Sequence, residues 1–159
     1  MNKGTLLYLD TQDYGRFDLA WLPGGLRASP KFEKVLKPAP RHPLFEGLPD
    51  RLERGRIVTG TFQADEGWTL LGEPAALAVR QHGKGWIVVS QIQQFERPFG
   101  ATPPAVFEAL TRLMSNMLAL AGPEAADRPV LVLDEGEGTI LDILSSVNQR
   151  AAVCRESGK

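Results

Sequence analysis

Hydrophobic and polar positions along the chain first predict two short strands near the N-terminus. Apolar runs at residues 5–9 and 17–22 are suited to buried strands. About seven residues separate them, whereas a parallel pair needs a connection of a dozen or more. The two strands therefore either form a hairpin or have lost an intervening helix.

The middle of the chain predicts an extended segment followed by closely spaced strands. Residues 27–49 are rich in proline and lysine, and proline removes backbone donors, so we expect a surface segment with one helical turn near residues 32–36. Alternation at residues 56–62 and an apolar run at residues 68–71 predict strands. Two further runs flank the letters QHGKG and predict a β-hairpin over residues 76–90.

Helical periodicity appears in the last third of the chain. An apolar stripe predicts a helix from residue 103 or 104 to about residue 121, with Thr102 as its N-cap. The stripe consists of Val106, Phe107, Leu110, Leu113, Met114, Met117 and Leu118. We expect a buried strand at residues 129–133 and a second amphipathic helix over about residues 139–156. These elements favour an α/β sandwich with a mixed sheet.

Length and composition favour one domain over residues 1–159, with its core at about residues 5–144 and a polar tail at about residues 154–159. The 18 basic and 19 acidic residues nearly balance, for a net charge of −1, so no nucleic-acid or membrane partner is predicted. No run approaches the roughly 18 to 20 apolar residues of a membrane helix, and the N-terminus lacks a signal peptide's apolar core. We therefore expect a soluble, cytoplasmic protein.

Histidine and cysteine give little support for catalysis or metal binding. His82 lies at the predicted hairpin turn, and His42 precedes a proline in a segment whose apolar residues anchor a loop. Cys154 is the one cysteine, which excludes an internal disulfide and a multi-cysteine zinc site. We interpret all three as structural, and the sequence predicts neither a metal nor a cofactor.

Carboxylates provide the remaining candidate chemistry. Asp65, Glu66 and Glu96 follow predicted strands and are the candidate catalytic residues. Two carboxyl groups roughly 5 to 10 Å apart can hydrolyse a glycoside. The alternative is that Asp65-Glu66 is a solvated turn and that Glu96 forms a surface pair with Arg97. The sequence leaves both alternatives open.

Several segments occur in an order that resembles a known superfamily. These are FDLAWLPGG, HPLFEGLP, LAVRQHGKGWIVVSQ and the helix that follows them. Over about residues 16–122 the chain resembles the C-terminal half of class I glutamine amidotransferase-like domains, in their trehalose-utilisation (ThuA-like) and β-galactosidase-associated branches. The resemblance implies a shortened, flavodoxin-like three-layer sandwich whose mixed, mainly parallel sheet is flanked by helices.

The chain departs from that superfamily in residues needed for glutaminase activity and in the first part of the fold. No cysteine lies between Pro23 and His82 and no His-x-Glu occurs, so the glutaminase triad has no counterpart here. The first βαβ part of the fold is shortened or absent, which is compatible with an N-terminal truncation or a fragment of a larger protein. An apolar face or sheet edge left uncovered in this way favours a homo-oligomer.

The superfamily places ligands at the edge to which the hairpin's second strand leads, by the general rule for strand ends. The ligand-binding candidates at this edge are Gly24, Gly25, Gln91, Gln93, Gln94 and Glu96. The leading hypothesis is a non-catalytic module for ligand binding or assembly in carbohydrate metabolism, with a sugar-stacking platform among Trp21, Trp68 and Trp86. The alternatives are a small glycoside hydrolase using paired carboxylates and an oligomerisation unit.

Overall fold

The computed structural model describes residues 6–10, 19–38, 41–92, 104–120, 130–134 and 151–154. Its strands are β1 (Leu6–Asp10), β2 (Arg27–Leu36), β3 (Leu52–Gln63), β4 (Thr69–Leu71), β5 (Leu77–His82), β6 (Gly85–Ser90), β7 (Val130–Asp134) and β8 (Ala151–Cys154). Helix α1 spans Pro104–Leu120, and a short 3₁₀ helix spans Pro43–Phe45. None of the described helices is long and apolar enough to cross a membrane.

The strands form two sheets. The larger has the order β4-β5-β6-β1-β7-β8, and the smaller pairs β2 with β3. Pairing is antiparallel between β4 and β5, β5 and β6, and β2 and β3. It is parallel between β6 and β1, β1 and β7, and β7 and β8.

The prediction of a mainly parallel, flavodoxin-like α/β sandwich is wrong. From β2 to β6 the chain forms five strands in two sheets, and every pair among these five is antiparallel. In the part of the chain that the structure describes, α1 is the single α-helix. The physical reason is that short loops connect β4 to β5 and β5 to β6, and such connections join antiparallel neighbours, since a parallel pair needs a long crossover.

Three predictions of individual elements are also wrong. The predicted strand at residues 17–22 is a turn where it is described, closed by a 2.9 Å hydrogen bond from the Leu22 N–H to the Leu19 carbonyl. The predicted helical turn near residues 32–36 is part of strand β2, whose mostly exposed side chains fit the predicted surface segment. The C-terminal end of the predicted second helix is β8, and residues 135–150 lie outside the described part.

Strands predicted from apolar runs and alternation are confirmed as β1, β3, β4 and β7, and the helix is confirmed as α1. The hairpin is present as β5 and β6. The pattern of burial explains why the helical periodicity predicted α1 correctly. In α1 the side chains facing the core recur every three or four residues, from Val106 to Leu118.

The core consists of two apolar clusters on opposite faces of the hairpin. Val79 and Val88 pack with α1, β3 and the 3₁₀ helix, whereas Ala78, Ile87 and Val89 pack with residues of β1 and of the turn before β2. Alternate residues of a strand point to opposite faces. The hairpin is therefore covered on both sides, which is why its strands are almost continuously apolar.

Candidate functional site

Two loops meet at the end of β3 and bring four of the predicted site residues together. The Gly24 carbonyl accepts hydrogen bonds from the backbone N–H groups of Asp65 (3.1 Å) and Glu66 (3.3 Å). Gly24 and Gly25 have φ angles of +80° and +63°, in the region that favours glycine. A side chain at Gly24 would also collide with the Glu66 carbonyl oxygen. This close backbone approach explains why the turn carries glycine.

Arg27 holds the carboxylate of Asp65 in a two-pronged ion pair. Its Nη1 lies 3.0 Å from Oδ2 and its Nη2 lies 2.9 Å from Oδ1, while Nη1 also donates to the Gly25 carbonyl at 2.9 Å. These hydrogen bonds, and then the positive charge, lower the pKa of Asp65 below its ordinary value and raise the pKa of Arg27. Asp65 is therefore a fixed, ionised hydrogen-bond acceptor and is unsuited to donate a proton as an acid.

The side chains of Trp68 and Arg80 also hold the same two loops together. Trp68 donates from Nε1 to the Pro23 carbonyl at 2.7 Å, and Arg80 donates to the Glu66 carbonyl at 2.9 Å. The Arg80 guanidinium lies 5.9 Å from the centre of the Trp68 ring, within cation–π range. Trp68 thus serves as a structural link between the two loops, and its ring is only partly exposed.

Trp21 lies in the turn that leads into Gly24, and 56% of its surface is exposed. We call Trp21, Gly24, Gly25, Asp65 and Glu66 the Trp21 surface. It combines an exposed aromatic ring, an ionised carboxylate held in place and the exposed side chain of Glu66. Such a surface offers an apolar face and hydrogen-bond acceptors but, at Asp65, no proton donor.

Of the other predicted site residues, the structure describes Gln91 alone. Gln91 is fully buried, and its Oε1 accepts a 3.1 Å hydrogen bond from the Thr59 hydroxyl. It therefore lies inside the molecule between the two sheets, where it makes structural contacts. Gln93, Gln94 and Glu96 lie outside the described residues.

His82 occupies the hairpin turn, as the sequence predicts. It pairs with Gly85 at the end of β5, its side chain is exposed, and Gly83 and Lys84 form the two-residue loop. Gly83 has a φ of +58°, which fits a turn with glycine at its first central position. The described neighbours give His82 no catalytic partner.

A second candidate site surrounds His42 and was missed by the sequence predictions. A cleft of about 360 Å³, which we call the His42 cleft, is lined by Pro38 and by residues between Arg41 and Asp50. Arg41, His42, Glu46 and Asp50 supply its polar lining. The signal in the sequence was the presence of both charge signs among prolines, whereas the sequence prediction concerned only the apolar residues of this segment, as anchors of a loop.

Helix α1 positions this cleft. The Asn116 Nδ2 group donates to the Leu44 carbonyl at 2.9 Å and to the Glu46 carbonyl at 2.8 Å. His42 caps the 3₁₀ helix, because its Nδ1 accepts the Leu44 N–H at 3.2 Å. Partial burial lowers the pKa of His42 below its ordinary value. The backbone around the cleft is thus held to α1 by Asn116 and is capped by His42.

No protein-family model matches the chain, and comparisons with curated proteins and with solved structures also find no match. The likeness to amidotransferase-like domains stays a prediction from the sequence. Within the described residues, no group of three or more His, Cys, Asp or Glu side chains is placed to hold a metal ion.

Proposed function

We propose that this chain is a non-catalytic binding module whose ligand is a carbohydrate, bound at the Trp21 surface. The observation that carries the proposal is the exposure of Trp21, at 56%, beside loops held together by backbone and side-chain hydrogen bonds. Tryptophan is enriched at binding interfaces, because its ring offers a large apolar face and its N–H can donate a hydrogen bond.

The chemistry of the surface suits a sugar. The face of an aromatic ring packs against the C–H groups of a pyranose, while hydroxyl groups need hydrogen-bond acceptors close by. Asp65 supplies an ionised carboxylate whose geometry is set by Arg27, and hydrogen bonds to charged acceptors are the stronger ones. Because the acceptor is already oriented, less side-chain entropy is lost when a ligand binds.

The contact with Arg27 makes Asp65 unsuited to one of the two carboxylate roles of a glycosidase, that of the proton donor. A glycosidase needs one carboxyl group that is protonated before the reaction, whereas hydrogen bonds from Arg27 favour the ionised form of Asp65. Glu66 with Glu96 as a catalytic pair stays a prediction, because Glu96 lies outside the described residues. No described contact favours it.

The biological setting rests on the sequence. The resemblance to trehalose-utilisation and β-galactosidase-associated domains supports a carbohydrate setting, although their three-layer fold is not present. One cysteine in the chain is compatible with a reducing compartment, and we include a cytoplasmic location and self-association in the proposal. Neither is needed for the sugar site itself.

Titration calorimetry with a panel of neutral mono- and oligosaccharides tests the proposal. We expect at least one sugar to bind the wild-type chain, and Trp21→Ala to weaken that binding by about tenfold or more, or about 1.4 kcal/mol. Phe107→Ala is the matched control, because Phe107 is 45% exposed on α1, away from the Trp21 surface.

Two results would contradict the proposal. If no sugar in the panel binds, carbohydrate is the wrong ligand class. If a sugar binds equally well to the Trp21→Ala variant, the Trp21 surface is the wrong site. A parallel hydrolysis assay with Glu66→Gln and Glu96→Gln separates binding from catalysis, since turnover that disappears in either variant would make the chain a hydrolase.

A further inference from the structure

The His42 cleft carries an inference that is independent of the carbohydrate proposal. Its volume of about 360 Å³ falls within the range of about 300–1,000 Å³ that is usual for small-molecule sites. Phe45, Leu48 and three prolines form its apolar walls. The cleft is therefore large enough, and apolar enough, to accept a small organic molecule.

Charged groups of both signs line the cleft without neutralising one another. Arg41, Glu46 and Asp50 all belong to its lining. In the described part of the chain, ion pairs join Arg27 to Asp65 and Arg51 to Glu53, and none joins Arg41 to Glu46 or Asp50. A cation and two carboxylates thus face one space, each with hydrogen-bonding capacity for a ligand.

His42 adds a defined donor. Its Nδ1 accepts the Leu44 N–H, so in the neutral ring the proton is on Nε2. Partial burial disfavours the charged form of this histidine. Near neutral pH the imidazole therefore contributes an N–H donor next to Arg41 in the sequence, on the same cleft.

The backbone at Arg41 is in a conformation that side chains rarely adopt. Its φ of +113° is the one positive value among the described residues other than glycine. Non-glycine residues held in such regions are concentrated at ligand sites, where the surrounding structure enforces them. Glycine would be less strained than arginine at this position.

We propose that the His42 cleft binds a small zwitterion with an apolar body, in the class of the α-amino acids with apolar side chains. The ligand's carboxylate would pair with the Arg41 guanidinium and the His42 N–H. Its ammonium group would pair with Glu46 and Asp50, and its side chain would pack on Phe45 and Leu48. A simple anion would face two carboxylates, and an uncharged molecule would leave all three ionic groups unpaired.

Three matched probes test the ligand class by titration calorimetry. L-Phenylalanine carries both charges, 3-phenylpropionate only the carboxylate, and 2-phenylethylamine only the ammonium group. We expect phenylalanine to bind the full chain at least tenfold more tightly than either of the others. No binding of phenylalanine at millimolar concentration, or equal affinity for phenylalanine and one of the singly charged probes, would overturn the proposal.

Substitutions of the lining residues test whether phenylalanine binds in the His42 cleft. Arg41→Gln and the double variant Glu46→Gln/Asp50→Asn should each weaken phenylalanine binding by tenfold or more. Lys84→Gln is the control, because it removes a positive charge at the exposed hairpin turn. Unchanged affinity in both cleft variants would place the ligand elsewhere and overturn the assignment.

A last variant separates a binding role from a structural one. Arg41→Gly relieves the backbone conformation while it removes the guanidinium, so we expect a higher melting temperature together with loss of phenylalanine binding. Because the variant is expected to be more stable, the loss cannot be attributed to unfolding. A lower melting temperature would instead mean that Arg41 is retained for stability, which would contradict the assignment.

Discussion

At the scale of single residues, Arg27 determines what Asp65 can do. The guanidinium contacts both carboxylate oxygens and also the Gly25 carbonyl, so it fixes a side chain that would otherwise be a mobile surface group. Both partners are more than half exposed, and exposed ion pairs contribute little to stability. Their consequence is chemical: the pair maintains an ionised acceptor against the Gly24-Gly25 turn.

We predict that Arg27→Gln raises the pKa of Asp65 back toward its ordinary value. The reason is that the hydrogen bonds and the positive charge that lower this pKa both come from Arg27. Carboxyl-carbon NMR titration of Asp65 measures the change directly. Folding lowers the pKa of Asp65, so the ion pair stabilises the folded state slightly at any pH above the unfolded-state pKa of about 3.9. This stabilisation is lost as the pH falls through the folded-state pKa of Asp65.

Arg51→Gln is the matched control for this titration. It breaks the other described ion pair, with Glu53, and leaves Arg27 in place. Asp65 should titrate as in the wild type in this control. Identical Asp65 titration curves in the wild type and in Arg27→Gln would show that the ion pair does not form in solution.

At the scale of elements, the hairpin depends on glycine for its turn. Gly83 has a φ of +58°, and a Cβ atom placed there would meet nothing within 4 Å. A substitution at this position therefore changes backbone preference without a steric collision. Substitution of Gly83 therefore tests how much the backbone conformation of the turn contributes to stability.

We predict that Gly83→Ala lowers the free energy of unfolding by about 1 kcal/mol, the cost of a left-handed conformation for an L-residue. Gly83→Asn should lower it less, because asparagine tolerates that conformation better. Urea denaturation measures both changes. Gly24→Ala should be considerably more destabilising, since a side chain there also collides with backbone; equal effects at the two glycines would refute the steric argument.

Element β2 shows why a local pattern can be misleading. Proline and four charged side chains made residues 27–36 resemble a surface loop, yet the segment pairs along β3 from Arg27 to Leu36. In the described structure β2 pairs with β3 alone, and proline is tolerated on such edge strands. Most of its side chains are exposed, so there was no hydrophobic alternation to detect.

At the scale of the whole molecule, Gln91 joins the two sheets. Its carbonyl accepts the Thr59 N–H from β3 at 3.0 Å, and its own N–H donates at 2.8 Å to the Ala76 carbonyl, next to β5. The side chain accepts the Thr59 hydroxyl and lies close against Gly60. A residue predicted to bind ligand is thus a buried connection.

We predict that Gln91→Leu lowers the free energy of unfolding by about 1–3 kcal/mol, because buried polar groups lose a partner. Urea denaturation provides the measurement, with Gln81→Leu at the exposed end of β5 as the control. Thr59→Val removes the other partner, and the double variant should cost less than the sum of the two single changes. Wild-type stability of Gln91→Leu would show that the buried side chain makes no net contribution.

The sequence by itself determined the elements whose burial repeats locally: β1, the β5–β6 hairpin and α1. The apolar residues of α1 recur at the period of a helix, whereas β1, β5 and β6 each contain a short continuous apolar run, so each element carries its own evidence. It also determined that the hairpin turn needs glycine and that His82 lies next to this turn, at the end of β5. These conclusions depend on neighbours only a few residues apart.

Tertiary structure alone decided the separate β2–β3 sheet, the Arg27–Asp65 pair across 38 residues, the burial of Gln91 and the His42 cleft. The first three arise from contacts between segments that are distant in the chain. The cleft is lined by one local segment, which Asn116 of α1 holds in place. Neither periodicity nor spacing in the sequence identifies such distant partners. The mainly parallel sheet was a wrong prediction for the same reason. Strand direction follows from pairing in space, and the apolar runs indicated only that strands would be buried.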